Sequence, residues 1–464
     1  MRECDVAVIG SGPGGYVAAI RAAQRGAKTL VFEKEEVGGV CLNWGCIPTK
    51  TMIHTAELYR KLQHASDFGL NIKRVELDLK ALVARKNDVV KKNKGGIRNL
   101  FKAHGIDVVR GEALVTAPGM IKVGAEEFKA RSIIVATGSS SAQLPGLETD
   151  GNQIITSTEA LELESLPKRI LVIGAGAIGA EFACLWNAFG VEIILVEIMP
   201  RVLPLDDAEL TKGLETLFKK RGMDVRTETK VKRMDTSKKG VHVELEGKKA
   251  GEADVDLVLV GIGRQYHSGV VTKTPSLGVQ VGKRGEILVN ERMETNVKGI
   301  YAIGDVTAKT MLAHGASAEG LVAAANATGG NERMDYRVVP ACTFTSPEVA
   351  RVGVTEAQAR EAGIEVKTGR FSFLASGRAH AMGETDGMVK IVGDARTDEL
   401  LGVHIMGHEA GELIASAAVA MKMEATVAEI AHTIHTHPTL SETVMEAAED
   451  YFGVGIHTPP GKRS

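Results

Sequence analysis

The residues with most chemistry to offer stand in two places. Towards the N-terminal end, Cys41-Leu42-Asn43-Trp44-Gly45-Cys46-Ile47-Pro48-Thr49-Lys50 sets two thiols with four residues between them. Pro48 suits the first turn of a helix, which puts Cys46 at that helix's N-terminus and Cys41 in the loop before it, with Gly45 letting the chain curl back. A bridge closing so short a loop removes little unfolded-state entropy, so redox use explains the pair better than stapling does. The positive end of the helix favours the Cys46 thiolate, the form that can donate electron density to an oxidised ring such as a flavin. A zinc half-site and two buried thiols remain as alternatives, although Cys4, Cys184 and Cys342 are scattered and supply no second pair at metal-ligand spacing.

The second place is His432-Thr-Ile-His435-Thr-His437-Pro438-Thr439-Leu440-Ser441-Glu442. The three histidines fit no usual zinc spacing and no cysteine or carboxylate cluster accompanies them, so no metal site is expected. Acid–base work fits better. Pro438 is read as the start of a helix, with His437 at its cap and Glu442 just over one turn on, where a carboxylate can hold the imidazole Nδ1–H and fix the tautomer. Such a partner favours imidazolium, so His437 can store a proton taken from a substrate thiol.

These groups need a scaffold, and two segments supply nearly the same one. An apolar run, Cys4 to Gly10, leads into the turn containing Gly10, Gly12 and Gly15 and then an alanine-rich helix. Arg169 to Gly174, the turn with Gly174, Gly176 and Gly179, and a helix through about Phe189 repeat the plan. Each unit continues into an apolar strand closed by an acid, Glu33 and Glu197, 18 residues after the last glycine of its turn. Strand, glycine turn, helix, strand and acid in order point to a dinucleotide: pyrophosphate at the helix N-terminus, ribose hydroxyls on the acid. Two units imply two dinucleotides. Glu197 suits NAD, since a carboxylate repels a 2′-phosphate; Arg201 could receive that phosphate, but Met199-Pro200 makes a turn there more natural.

Composition bounds the rest. At 464 residues, 44% hydrophobic and 25% charged, the chain is long enough for several cores. A net charge of -2 gives no field to gather nucleic acid or an anionic membrane surface, and no apolar run approaches the roughly 18 residues of a membrane span. The opening MRECDVAVIG carries no basic or cleavable segment, so a soluble, cytoplasmic protein is expected. A strand ending at Ala136-Thr137-Gly138, the polar Ser139 to Ser141 and the later strand Asp256 to Gly263 read as crossings between domains. Beyond about Pro340, strands Met388 to Val392 and Leu400 to Ile405 alternate with a helix at Leu413 to Lys422, an α+β region, and the tail from Gly453 is expected to be loosely ordered.

Along essentially its whole length the chain resembles the pyridine nucleotide–disulfide oxidoreductase family, most specifically through Cys41 to Lys50. The resemblance implies an α/β fold: two Rossmann-like, glutathione-reductase-like domains plus a C-terminal α+β dimerisation domain, divided as 1–148 for FAD, 149–272 for NAD, 273–340 completing the FAD site and 341–464 at the interface. It implies interchange with substrate sulfur for Cys41, flavin contact for Cys46, and Lys50 near flavin N5 paired with Glu181. Thr295 to Asp305 is similar to the family's second flavin motif, which assigns Asp305 to the ribityl chain and lays Met311 and Ala313 along the ring, with His314 structural. Ala113 and Gly138 match further FAD positions, and Val231 and Gly263 match positions along NAD. After Gly263-Arg264 the chain departs from the family: Gln265-Tyr266-His267 replaces a proline–asparagine pattern, and Trp44 replaces a frequent valine.

The same resemblance takes His437 from the opposite subunit of a homodimer. Leu440-Ser441 after His-Pro-Thr favours lipoamide over glutathione, and the tail lacks the extra cysteine pair of mercuric reductases. The implied reaction is oxidation of protein-bound dihydrolipoamide with reduction of NAD+ to NADH. The implied partner is the lipoyl domain of a dihydrolipoyl acyltransferase or a glycine cleavage lipoyl carrier.

Overall fold

The computed structural model describes residues 1–143, 146 and 148–458. Its first layer grows from β-branched runs that are buried on both faces, as parallel strands under helices must be. Strand β1 (Arg2–Ile9), helix α1 (Pro13–Gln24) and strand β2 (Thr29–Glu33) form the first βαβ unit. Two helices then carry the cysteines, α2 (Gly39–Trp44) and α3 (Cys46–Gln63), before the long α4 (Leu79–Ala103) returns the chain to β3 (Asp107–Arg110). Strands β4 (Ala113–Ala117), β5 (Met120–Val123) and β6 (Glu126–Val135) complete a sheet ordered β3-β2-β1-β6-β5-β4.

The crossing follows. Short strand β7 (Ser139–Ser141) precedes a second parallel layer built from β8 (Ile154–Ile155), α5 (Ser157–Ala160), β9 (Arg169–Ile173), α6 (Ala177–Ala188), β10 (Glu192–Val196), α7 (Ala208–Lys220) and β11 (Asp224–Arg226). An antiparallel flap of β12 (Thr229–Ser237), β13 (Gly240–Gly247) and β14 (Gly251–Val255) covers it, and β15 (Leu257–Val260) closes the order β11-β10-β9-β15-β8. The chain returns through β16 (Arg264–Tyr266), which pairs antiparallel with β7, Arg264 opposite Ser141 and Tyr266 opposite Ser139. The polar serines are thus one rung of a two-stranded crossing.

After α8 (Gly269–Thr272), strand β17 (Ile300–Ala302) rejoins the first sheet beside β6, and α9 (Ala313–Ala327) packs on α1 with small residues at the contact. The last layer is an antiparallel sheet in the order β18-β19-β22-β21-β20, with β18 (Ala341–Thr343), β19 (Glu348–Gly353), α10 (Glu356–Glu361), β20 (Val366–Ser372), α11 (Gly377–Met382), β21 (Met388–Asp394) and β22 (Leu400–Gly407). Helices α12 (Ala410–Lys422), α13 (Val427–His432) and α14 (Glu442–Phe452) complete its core. Two nucleotide-type sheets, the first parallel through β3-β2-β1-β6 with an antiparallel β5-β4 edge and the second parallel throughout, and one antiparallel α+β layer are the expected fold class.

Three local expectations change. Cys41 lies on α2, not in a loop. Pro438 does not begin a helix: α14 starts at Glu442, because buried Leu440 and the Thr439 amide, which donates to Glu442 Oε2 at 2.8 Å, hold residues 438–441 in a turn. The tail after Gly453 has no regular structure as far as Thr458 but is anchored, with His457 Nδ1 2.5 Å from Glu446 Oε1 on α14. The remainder of that tail, 459–464, lies outside the described residues. Among the described residues no helix is long and apolar enough to cross a membrane, and no cluster of metal-ligating side chains occurs.

Candidate functional site

The glycines of the two turns divide their work. A β-carbon on Gly10 would stand 2.3 Å from the Ala136 carbonyl oxygen, and one on Gly15 would stand 2.0 Å from that of Gly10. Gly174 and Gly179 repeat this, at 2.5 Å from Gly261 O and 1.8 Å from Gly174 O. These four let helix approach strand. The middle glycines differ: Gly12 meets nothing nearer than Gly39 Cα at 4.0 Å, and Gly176 nothing within 4 Å. Their open faces sit where the N-termini of α1 and α6 present free N–H groups, the cradle a pyrophosphate occupies.

At the ends of β2 and β10 the two acids are fixed by backbone. Glu33 accepts from the Ser11 amide at 2.8 Å, the Ser11 hydroxyl at 2.6 Å and the Glu35 amide at 2.9 Å. Glu197 accepts from the Ala175 amide at 2.7 Å and the Met199 amide at 2.8 Å. Each carboxylate keeps spare lone pairs for ribose hydroxyls. The Arg201 guanidinium donates to Pro204 O at 3.0 Å, while its Nε has no partner among the described residues.

One continuous cavity of about 1930 Å³ joins both cradles. Gly10, Gly12, Gly15, Glu33, Cys41, Cys46, Lys50, Ala113, Gly138, Gly174, Gly176, Glu181, Glu197, Val231, Gly263, Asp305, Met311 and Ala313 all line it; Gly179 stands behind it, packed on Gly174. The open middle glycines and the two anchored acids fit one dinucleotide at each end, so the residues present suit FAD in the first layer and NAD in the second.

Between the cradles sits the cysteine pair, unbonded in the structure. Cys46 opens α3 and Cys41 lies on α2, with Gly45 between them; a β-carbon there would stand 3.0 Å from Val40 O and 3.2 Å from Cys41 Cα. Close approach, rather than a left-handed backbone, is what demands glycine. The acidities split. The Cys41 thiol donates to the Cys46 sulfur, and with the nearby Lys50 ammonium this pulls Cys46 down to about 7 against its burial. The same hydrogen bond, with burial, drives Cys41 well above the ordinary thiol range. Lys50 Nζ reaches Glu181 at 2.9 Å and 2.8 Å, and although burial pushes its ammonium down, Glu181 outweighs that and holds it above the ordinary value.

Sequence reasoning missed several supports here. Ser139 donates to Asp305 Oδ2 and receives Arg264 Nε at 3.0 Å, so the crossing strands hold the carboxylate. Tyr266 reaches the Met311 sulfur at 3.8 Å and His267 Nε2 lies 3.0 Å from Ser140 Oγ, so two residues of the departing segment bind the protein's own side chains. His314 Nε2 donates to Pro340 O at 2.6 Å, a structural role.

His437 and Glu442 do meet, Nδ1 to Oε1 at 2.8 Å, although by a loop rather than a helix turn. They do not line their own chain's cavity, and the His437 side chain is 81% exposed. The second carboxylate oxygen accepts from Thr439, and these hydrogen bonds outweigh burial to hold Glu442 below its ordinary value.

Residues 4–320 match the family described as pyridine nucleotide-disulphide oxidoreductase, and residues 339–448 match that family's dimerisation domain. The chain belongs to this family. It is a flavoprotein disulfide oxidoreductase whose cofactors are FAD and NAD. A dihydrolipoyl dehydrogenase of Thermus scotoductus is 48% identical over 461 residues, covering 98% of this chain and 99% of that protein. One from Bacillus subtilis is 42% identical over 473 residues, covering 98% and 99%. The crystal structure of LpdA from Mycobacterium tuberculosis superposes with a TM-score of 0.89 at 29% identity, covering 97% of this chain and 99% of that one. The dimerisation domain supports a homodimer.

Proposed function

We propose that the enzyme oxidises protein-bound dihydrolipoamide to lipoamide and reduces NAD+ to NADH, as a component of a 2-oxoacid dehydrogenase or glycine cleavage complex. One observation carries the reading: a single cavity runs from one dinucleotide cradle to the other past a cysteine pair whose acidities are split. In the oxidised enzyme Cys41 and Cys46 are a disulfide. His437, from the second subunit and oriented by Glu442, takes the proton of one dihydrolipoyl thiol, and the thiolate attacks Cys41 sulfur. The disulfide breaks and Cys46 leaves as a thiolate, stabilised by Lys50 and the start of α3. The second dihydrolipoyl sulfur then displaces Cys41, its proton passing to the Cys41 sulfur, which closes the lipoamide disulfide and leaves two electrons on the pair as a Cys41 thiol and a Cys46 thiolate. FAD, held by the first cradle and Asp305, supplies the relay of those electrons to the nicotinamide when bound.

The same proposal divides the chain at 148, 272 and 340, sets it in the cytoplasm, and gives it a lipoyl domain of an acyltransferase or a glycine cleavage lipoyl carrier as partner. The similarity to full-length dihydrolipoyl dehydrogenases supports the substrate. Anaerobic titration of the yellow protein with dihydrolipoamide tests it, beside Cys46→Ser and beside glutathione. Long-wavelength flavin absorbance absent from the variant, followed by rapid NADH formation, is expected. Turnover with another dithiol and none with dihydrolipoamide overturns the substrate.

A further inference from the structure

The Lys50–Glu181 pair is built by α3 and α6, yet a third element reaches it. Glu181 Oε1, which already receives Lys50 Nζ, also accepts the backbone N–H of Phe344 at 2.9 Å. The Phe344 ring lies under the ammonium, with Lys50 Nζ 4.8 Å from its centroid. The ring also packs against the apolar cluster that contains Phe182, Leu185 and Met52. Phe344 follows β18 and lies within the part of the chain matched to the dimerisation domain. The ammonium therefore has two directional partners, a carboxylate beside it and an aromatic face below, and both belong to one hydrogen-bonded unit.

We propose that Phe344 is a positioning residue of the redox centre, whose ring and backbone N–H fix the Lys50–Glu181 pair and, through Lys50, the charge of the Cys46 sulfur. The physical grounds are geometric. A lysine on a flexible four-carbon stem loses its place easily, and a cation over a desolvated aromatic face gains attraction that an aliphatic side chain of equal volume cannot give. The groups that face Cys46 are Cys41 from α2, Lys50 from α3, Glu181 from α6 and Arg264 from β16, and Cys342 on β18 faces Lys50. Of these, Phe344 touches Lys50 through its ring and Glu181 through its backbone N–H. The C-terminal layer thus contributes to the acidity of a thiol in the N-terminal layer of its own chain. The proposal rests on reading Cys46 and Lys50 as the redox centre, and does not depend on which dithiol is the substrate.

The test uses FAD-loaded enzyme reduced anaerobically by NADH, so lipoamide plays no part. The long-wavelength absorbance given by a thiolate beside an oxidised flavin is titrated with pH in wild type, Phe344→Leu and Phe344→Tyr. The half-point should rise by about half a pH unit or more in Phe344→Leu, a loss of about threefold in thiolate at fixed pH, consistent with the size of a cation–π contact. Phe344→Tyr, which keeps the aromatic face, should restore the wild-type value. Should Phe344→Leu fold poorly, mono-, di- and trifluorophenylalanine at position 344 keep the ring's shape while draining its face, and the half-point should climb with each fluorine. An unchanged half-point across Phe344→Leu or across the fluorinated series overturns the proposal. A protein inactive on dihydrolipoamide that still shows the graded shift would fail the substrate reading and leave this one standing.

Discussion

At the scale of single residues, the chemistry depends on which cysteine holds the charge. Cys46 falls from the ordinary thiol range to about 7 through the Cys41 thiol and then Lys50. A depressed acid is stabilised in its charged form by folding, so its contribution to stability is present above the unfolded thiol value of about 8.5 and is lost as pH falls through about 7. In the reduced enzyme the long-wavelength absorbance should therefore be full at pH 8.5, half developed near 7 and nearly gone at 5.5, and Lys50→Met should move the midpoint upward. A midpoint that stays put in Lys50→Met would remove Lys50 from the account. Much of this residue chemistry was legible in the sequence: the four-residue gap between thiols, Pro48 after them, and a histidine five residues before a glutamate. What escaped were partners far apart in the chain. Ser139 with Asp305 and Phe344 with Glu181 are separated by 166 and 163 residues, and a serine or phenylalanine in a run of ordinary composition carries no local signal of either meeting.

At the scale of elements, strands and turns announced themselves because parallel strands buried on both faces must be apolar throughout and a dinucleotide turn must be glycine-rich. The less regular elements did not. Three serines gave no hint of β7, which exists because Arg264–Tyr266 pairs with it; the six-residue α2 is too short for periodicity to reveal; and Pro438 obeys its turn rather than its helical preference. The turn glycines allow a prediction that separates packing from binding. Gly179→Ala forces a β-carbon to within 1.8 Å of Gly174 O, so α6 must shift. That should cost about 2–3 kcal/mol or more of stability, seen as a lowered thermal midpoint without any nucleotide. Gly176→Ala meets nothing within 4 Å and should leave that midpoint unchanged. Its methyl instead stands where a pyrophosphate must approach, so KM for NAD should rise about tenfold or more, a cost of about 1.4 kcal/mol. The reverse pattern, a stable Gly179→Ala and an unstable Gly176→Ala, would refute the division of labour between the glycines.

At the scale of the whole molecule, charge that composition showed only as a balance is concentrated where layers meet. Lys390 on β21 is buried with Asp207 at 3.1 Å and Glu356 at 2.9 Å, and Arg351 on β19 pairs with Asp206, so the C-terminal layer is clamped to the entry of α7. With its position fixed, that layer holds His437 and Glu442 paired but outside the cavity of their own chain, beside Ile434 at 96% exposure. On the proposal that His437 is the base of a second subunit's site, each site of a two-fold dimer takes its cysteines from one chain and its histidine from the other. Cys46→Ser and His437→Gln homodimers should then both be inactive in NAD-linked dithiol oxidation, since every site lacks one part. Co-refolded in equal amounts, half of the dimers are mixed, and each mixed dimer assembles one complete site, intact cysteines from the histidine variant with the intact histidine of the cysteine variant. Recovery of about a quarter of wild-type activity is expected from that pairing statistic. If each subunit used its own histidine, no combination of these two chains could complete a site, and the mixture would stay as inactive as its parents.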